Sequence, residues 1–235
     1  MKIIVCNQKK YLNKTNVDKF INDSKNLKTK HKLIICPAST YLKKFKDYPH
    51  DLGSQNMSLS TFSTEPTVKT LIKNNVTYSL VGHSYRRKIY GESIKDTNYK
   101  IIKLMQHGII PILCVGEEAN ERLNNSYKQV IKSQVMGALN TLSTTAVEKI
   151  IIAYEPIWSI GTNVIPENEE IQEVVRYIKK IVKDNYNCIP NVLYGGSINE
   201  INITTLKKIK YLDGYLIGKS STDVNKLEKI LLNCN

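Results

Sequence analysis

The sequence predicts an α/β fold, a closed (β/α)8 barrel of eight parallel strands with outer helices, and three observations carry that prediction. Eight short β-branched runs recur along 235 residues, amphipathic segments separate them, and the runs are nearly continuously apolar with no period of two. Strands covered on both faces need such runs, and parallel neighbours need a crossover segment between them. No linker, repeat or low-complexity tract divides the units, so residues 1–235 are expected to form a single barrel domain, as barrels of about 200–250 residues do. An open, doubly wound sheet is the less favoured arrangement of the same elements.

In chain order the runs are IIVCN (3–7), KLIIC (32–36), LGSQN (52–56), TYSLVG (77–82), IIPILCVG (109–116), KIIIAYE (149–155), NVLYGG (191–196) and YLDGYLIG (211–218). The first intervening segment places Val17, Phe20, Ile21, Ser24 and Leu27 at helical spacing, and the sixth does so with Ile171, Val174, Val175, Ile178, Ile181 and Val182. That sixth helix has a legible start. Pro166 is followed by Glu167, Glu169 and Glu170, which put negative charge in the first turn, where the helix dipole favours it.

Composition narrows the function classes. With 41% hydrophobic and 23% charged residues the chain is too apolar for disorder. No window approaches the roughly 20 apolar residues of a membrane span, and the start turns polar after a few positions, so an unprocessed, cytoplasmic protein is expected. The five cysteines (Cys6, Cys36, Cys114, Cys188 and Cys234) are odd in number, widely spaced and without a CxxC pair, which reads as free thiols and no metal site. A net charge of +13 raises a nucleic-acid partner, but the lysines are scattered along stretches such as 43–46, 179–183 and 207–210 and no aromatic residues interleave as base platforms. Neither nucleic acid nor a membrane is expected as a partner.

A barrel of this kind gathers its active site at the carboxyl ends of the strands. Those ends hold Asn7 and Lys9, Gln55 and Asn56, His83 and Ser84, Cys114 and Glu117, Glu155, Gly195 to Ser197, and Gly218 with Lys219. His83 follows the fourth strand, where a neutral imidazole can donate to a substrate oxygen that gains charge; a lone histidine is otherwise a surface or satisfied core residue. Glu155 ends the sixth strand before Pro156, and a partly desolvated carboxylate there can take a carbon-bound proton, against the plainer reading of a surface residue at a strand end. The stretch after it, IWSIGTNVIP, is too apolar for a simple connector and of a length suited to a lid. YGGSI (194–198) and LIGKSS (216–221) follow adjacent strands, where glycine lets main-chain N–H groups approach a phosphate; their plainer reading is as tight turns.

Taken together, CNQK (6–9), SQN (54–56), GHSYRR (82–87), YGES (90–93), CVGE (114–117), AYEPIWSIGT (153–162), YGGSI (194–198) and DGYLIGKSS (213–221) resemble the triosephosphate isomerases from first strand to last. The resemblance implies a TIM barrel that interconverts dihydroxyacetone phosphate and D-glyceraldehyde 3-phosphate through an enediol or enediolate, in glycolysis and gluconeogenesis, without metal or organic cofactor. It makes Glu155 the base and His83 the neutral electrophile, with Asn7 and Lys9 on the oxygens; the family is itself a standard example of such paired tuning, and these roles are carried over from it. It places Gly161, Ser197, Gly218 and Lys219 around the phosphate. Pro156, Ile157, Trp158, Ser159, Ile160, Gly161 and Thr162 form the lid, and Ser84, Cys114 and Glu117 are supporting residues, the last two at the floor near Glu155. It also implies a homodimer whose loop after strand three, SLSTFSTEP (58–66), enters the partner's pocket with Phe62 and Ser63 at its tip, and with Glu65 set to meet an arginine such as Arg86.

The chain departs from the family pattern at several positions. Tyr85 stands where the GHSERR block has Glu, which leaves Lys9 without its expected carboxylate partner and requires a buried ammonium to lose charge or find another acceptor. Gln8 replaces Trp, Ser63 a Thr, Thr64 a Gly, Lys219 a Gly, and NVIP (163–166) stands where GKTA is common. These changes motivate a rival reading, a weakly active or non-catalytic relative kept for binding or assembly.

Overall fold

The computed structural model describes residues 1–162 and 164–234. Its strands are β1 (Ile3–Asn7), β2 (Lys32–Cys36), β3 (Asp51–Ser54), β4 (Tyr78–Val81), β5 (Ile110–Val115), β6 (Ile151–Tyr154), β7 (Asn191–Tyr194) and β8 (Gly214–Ile217). They pair in parallel in chain order, and β8 returns to β1 with Ile3 opposite Gly214 and Val5 opposite Leu216, which closes the barrel. The expected closed barrel is the observed fold.

Side chains alternate along each strand, and here both sets are buried. Val5, Ile34, Cys36, Tyr78, Leu80, Ile112, Cys114, Ile151, Ala153, Leu193 and Leu216 form one cluster, the barrel interior. Their strand neighbours, including Ile4, Cys6, Leu113, Val115, Ile152 and Tyr154, belong to the larger cluster shared with the helices. That double burial is why the runs show no polar alternation.

Among the described residues the outer layer consists of α1 (Lys14–Ser24), α2 (Val68–Lys73), α3 (Ser84–Tyr90), α4 (Ile94–Met105), α5 (Ala119–Leu123), α6 (Tyr127–Ala138), α7 (Thr144–Val147), α8 (Asn168–Tyr186), α9 (Ile203–Leu206) and α10 (Val224–Asn233). In α1, Val17, Phe20 and Ser24 are buried as expected and Ile21 only partly so, while the partly buried Leu27 lies beyond the end of the helix. All six apolar positions read for the sixth helix are buried in α8, and Glu167 and Glu170 close a reciprocal capping box at its start. The segment after β2 is a 3-10 helix (Ser39–Phe45) rather than an α-helix.

Most strands end sooner than the apolar runs suggested. β3 stops at Ser54, β4 at Val81, β6 at Tyr154 and β7 at Tyr194, so Gln55, Asn56, His83 and Glu155 stand in the loops just beyond. Around the fourth strand the cause is local: Gly82 takes φ +65°, which no strand residue adopts. No described helix is long and apolar enough to cross a membrane.

Candidate active site

Strand phase alone delivers the carboxylate. Ile151 and Ala153 point into the barrel, so Glu155, two residues on, continues the inward set at the carboxyl mouth, where it is 2% exposed. His83 is out of phase with Tyr78 and Leu80. The left-handed backbone at Gly82 corrects the phase and turns the imidazole to Glu155, with Nε2 3.3 Å from Oε1.

The imidazole is oriented by its own helix. Nδ1 of His83 accepts the Tyr85 amide at 3.2 Å as the N-cap of α3, so the ring proton sits on Nε2, facing the carboxylate. Burial pushes the Glu155 carboxyl up, but His83, Arg87 and Lys9 outweigh it and hold it below the ordinary value of 4.5. The base is therefore ionised at neutral pH. Its second oxygen, Oε2, is buried with no hydrogen-bond partner among the described residues, an acceptor with open lone pairs.

Small residues make room for this carboxylate. A Cβ on Gly195 would lie 2.9 Å from Glu155 Cγ, and one on Gly116 would lie 1.8 Å from the Glu155 carbonyl oxygen. The Cys114 thiol lies against Glu155; burial and that negative charge push it well above its ordinary value, so it remains protonated. The other cysteines are likewise free and buried. Cys114 thus lies close to the carboxylate. Glu117 is fully buried, and its Oε1 accepts Trp158 Nε1–H and Tyr154 O–H, each at 3.0 Å, so its carboxylate serves the lid.

The segment after β6, read from the sequence as a lid, begins with a 3-10 helix (Ile157–Ser159). Ser159 Oγ donates to the Val164 carbonyl at 2.7 Å, Thr162 Oγ1 donates to Trp158 O at 3.1 Å, and Gly161 turns at φ +74° with open space around it. Pro156, Ile157 and Ile160 lie along the same path; Asn163 of the NVIP segment is outside the described residues. Ser197 Oγ donates to the Ser159 carbonyl at 2.8 Å, which ties the lid to the β7 turn, and Ser220 Oγ ties the β8 turn to Ile198 O at 2.8 Å. A Cβ on Gly218 meets nothing within 4 Å. Lys219 opens a 3-10 helix (Lys219–Thr222) with its side chain exposed and its φ outside the left-handed region, so the turn accepts a side chain where the family pattern has glycine.

Asn7 is buried and its Oδ1 accepts the Lys9 amide at 3.3 Å, while Gln55 Nε2 holds the Lys9 and Cys36 carbonyls at 2.9 and 3.0 Å. Lys9, at φ +47°, has no ion pair among the described residues. The expected buried, uncompensated ammonium is not what results: Lys9 is half-exposed and close enough to Glu155 to favour its charged form. Tyr85 points outward, 58% exposed, and stacks edge-on with Tyr90. Ser84 is buried at the first turn of α3.

Arg87, Glu92 and Lys100 went unassigned in the sequence, whereas a meeting of Glu65 with an arginine such as Arg86 was read from it. Arg87 donates to the Gly82, Cys114 and Gly116 carbonyls. A network that runs from the half-buried Glu65 and Arg86 into the interior joins Glu65 to Arg86, Arg86 to Glu92 at 3.1 Å, and the buried Glu92 to the buried Lys100 at 2.6 Å; Lys100 reaches Asn56 Oδ1 at 2.8 Å, and Glu92 Oε1 accepts the Gly82 amide at 3.2 Å. GHSYRR and YGES flagged the segments but not which side chains meet. Among the described residues no group of three or more His, Cys, Asp or Glu side chains could hold a metal ion.

A profile described as triosephosphate isomerase matches residues 2–234. The chain is 37% identical to triosephosphate isomerase of Dictyoglomus thermophilum over 94% of each chain. It is 35% identical to that of Buchnera aphidicola subsp. Baizongia pistaciae over 88% of this chain and 86% of the relative. The chain belongs to the triosephosphate isomerase family. Within the triosephosphate isomerase pattern, the departures at Tyr85 and Lys219 fall on exposed side chains, and the paired Glu155 and His83 are retained.

Proposed function

We propose that the chain interconverts dihydroxyacetone phosphate and D-glyceraldehyde 3-phosphate, and that residues 1–235 act as one catalytic domain. The observation that carries this is the Glu155 and His83 pair: a carboxylate with an unpartnered oxygen, 3.3 Å from the Nε2 of an imidazole at the barrel mouth. Glu155 takes a proton from the hydroxymethyl carbon next to the carbonyl, His83 gives its Nε2 proton to the carbonyl oxygen and takes up the proton of the neighbouring hydroxyl, and Glu155 returns its proton to the former carbonyl carbon. Asn7 and Lys9 support the oxygens. Gly161, Ser197, Gly218 and Lys219 offer main-chain and hydroxyl donors to the phosphate, and the lid from Pro156 to Thr162 excludes water from the intermediate.

Substrate must enter between the two catalytic side chains, so Glu155 withdraws from His83 on loading. The working form is a cytoplasmic homodimer, with neither nucleic acid nor membrane as partner. Phe62 supports the dimer: it stands 98% exposed at the tip of a loop braced by the Ser58 amide on Pro66 O and by Glu65 on Arg86 and Asn56. A fully exposed phenyl ring on a braced loop is what a receiving pocket stabilises. The test is a coupled isomerase assay on purified protein. Turnover supports the reading, and its absence at millimolar substrate favours the non-catalytic rival.

A further inference from the structure

We propose that Arg87 is a positioning residue for this reaction: its guanidinium joins the carbonyl ends of β4 and β5 in the wall that carries Glu155, and so sets where the base stands against His83. The inference rests on the isomerase reading above and deepens it.

The contacts are specific. Nη1 donates to the Gly82 carbonyl and, at 2.9 Å, to the Cys114 carbonyl, and Nη2 reaches Gly116 O at 3.5 Å. Gly82 is the residue whose left-handed backbone turns His83 inward. Cys114 carries the thiol that lies against Glu155, and Gly116 packs so closely on the Glu155 main chain that a Cβ there would overlap its carbonyl oxygen. One planar group therefore spans the main chain behind both members of the pair. Arg87 itself lies on α3, the helix His83 caps, one turn beyond it.

The chemistry suits arginine. The Gly116 carbonyl also accepts Gln134 Nε2–H at 3.0 Å, so the Gly82 and Cys114 carbonyls at the ends of β4 and β5 depend most on Arg87, and a rigid guanidinium with five donors can reach all three from one side. A lysine ammonium carries the charge without the planar geometry. The groups that face Glu155 are His83 from α3, Lys9 from the loop after β1, the Cys114 thiol from β5, and Arg87; of these, Arg87 is a cation fixed in place by its carbonyls. It therefore also holds the Glu155 carboxylate in its ionised form while the lid excludes water.

The experiment compares wild type, Arg87→Lys and Arg87→Gln by kcat and KM, and follows the Glu155 carboxyl carbon by NMR titration in glutamate-labelled protein, assigned with Glu155→Gln. In Arg87→Gln, kcat is expected to fall at least about tenfold with KM within about threefold, because the phosphate turns on β7 and β8 are untouched. The Glu155 titration moves to higher pH. In Arg87→Lys the titration stays near wild type while kcat still falls, since charge is kept and the three-way bridge is lost.

A merely structural role lowers the folded fraction without moving the titration, so an unmoved titration in Arg87→Gln with kcat per folded molecule within about twofold of wild type overturns the proposal. Should Arg87→Gln not fold, Arg87→Lys decides: wild-type kcat overturns the proposal, and a reduced kcat at an unmoved titration supports it. Absence of isomerase turnover in wild type sinks the underlying reading before any Arg87 variant is compared.

Discussion

Gly195→Ala tests whether close packing places the base. The new Cβ would stand 2.9 Å from Glu155 Cγ, with Leu216 Cδ2 and Cβ at 3.3 and 3.4 Å on its other side. Carbon atoms in good contact lie about 3.5–4.0 Å apart, so the side chain of Glu155 must retreat by roughly 0.6–1 Å. Leu216 is itself tighter than ordinary contact, so the methyl has little slack on that neighbour either. Overpacking of this kind costs about 1–3 kcal/mol of stability. A base misplaced by about 1 Å can cost about 10²-fold in rate. Steady-state kinetics with a coupled assay should show kcat reduced about 10- to 100-fold, KM changed by less than about threefold, and Tm lowered by a few degrees. A variant with wild-type kcat and an intact fold would refute the claim that Gly195 sets the position of Glu155.

Further substitutions probe other parts of the site. Glu117→Leu removes the acceptor shared by Trp158 and Tyr154, so Trp158, the sole tryptophan, should shift its fluorescence emission and the protein should lose about 1–3 kcal/mol in urea unfolding; unchanged emission would mean the lid does not depend on this carboxylate. Lys100→Met leaves Glu92 buried with one fewer cation and should destabilise by about 3–5 kcal/mol, read from thermal or urea unfolding. Tyr85→Glu, which restores the carboxylate of the family's GHSERR block on an exposed position, should preserve or raise kcat, and a large loss would show the tyrosine to be integral. Hydrogen bonds from Ser93 hold the Asp96 carboxyl below its ordinary 3.8, so its stabilisation is full above that value and lost as pH falls through the lower, folded one. The Tm difference between wild type and Asp96→Asn should therefore be full at pH 7, begin to shrink only below the ordinary carboxyl value of 3.8, and vanish once the folded carboxyl is protonated.

The barrel was legible because its signal is local and repeated: each run is apolar on both faces, and the amphipathic stripe of α8 follows from its own residues. Helical content after β2 was not, because Ser39–Phe45 winds as a 3-10 helix on the strength of packing around Leu42 and Phe45 that no periodicity announces. At the site, the phase of β6 fixes Glu155 from sequence alone. His83 needed the φ of Gly82, which a glycine permits but does not dictate. Arg87 and Lys100 stayed hidden because only the closed topology brings Cys114, Gly116 and Asn56 to them, and Glu92 because its partners, though near in sequence, meet it only through the turn between α3 and α4. The fate of Lys9 was likewise a matter of exposure, which the missing carboxylate at position 85 could not settle.

Turnover of dihydroxyacetone phosphate in deuterated water by wild type and Glu155→Gln bears most directly on proton transfer by the carboxylate. Wild type should yield glyceraldehyde 3-phosphate carrying deuterium at the carbon next to the aldehyde, and Glu155→Gln should be slower by about 10³-fold. Deuterium-free product formed at an undiminished rate by Glu155→Gln would contradict the account.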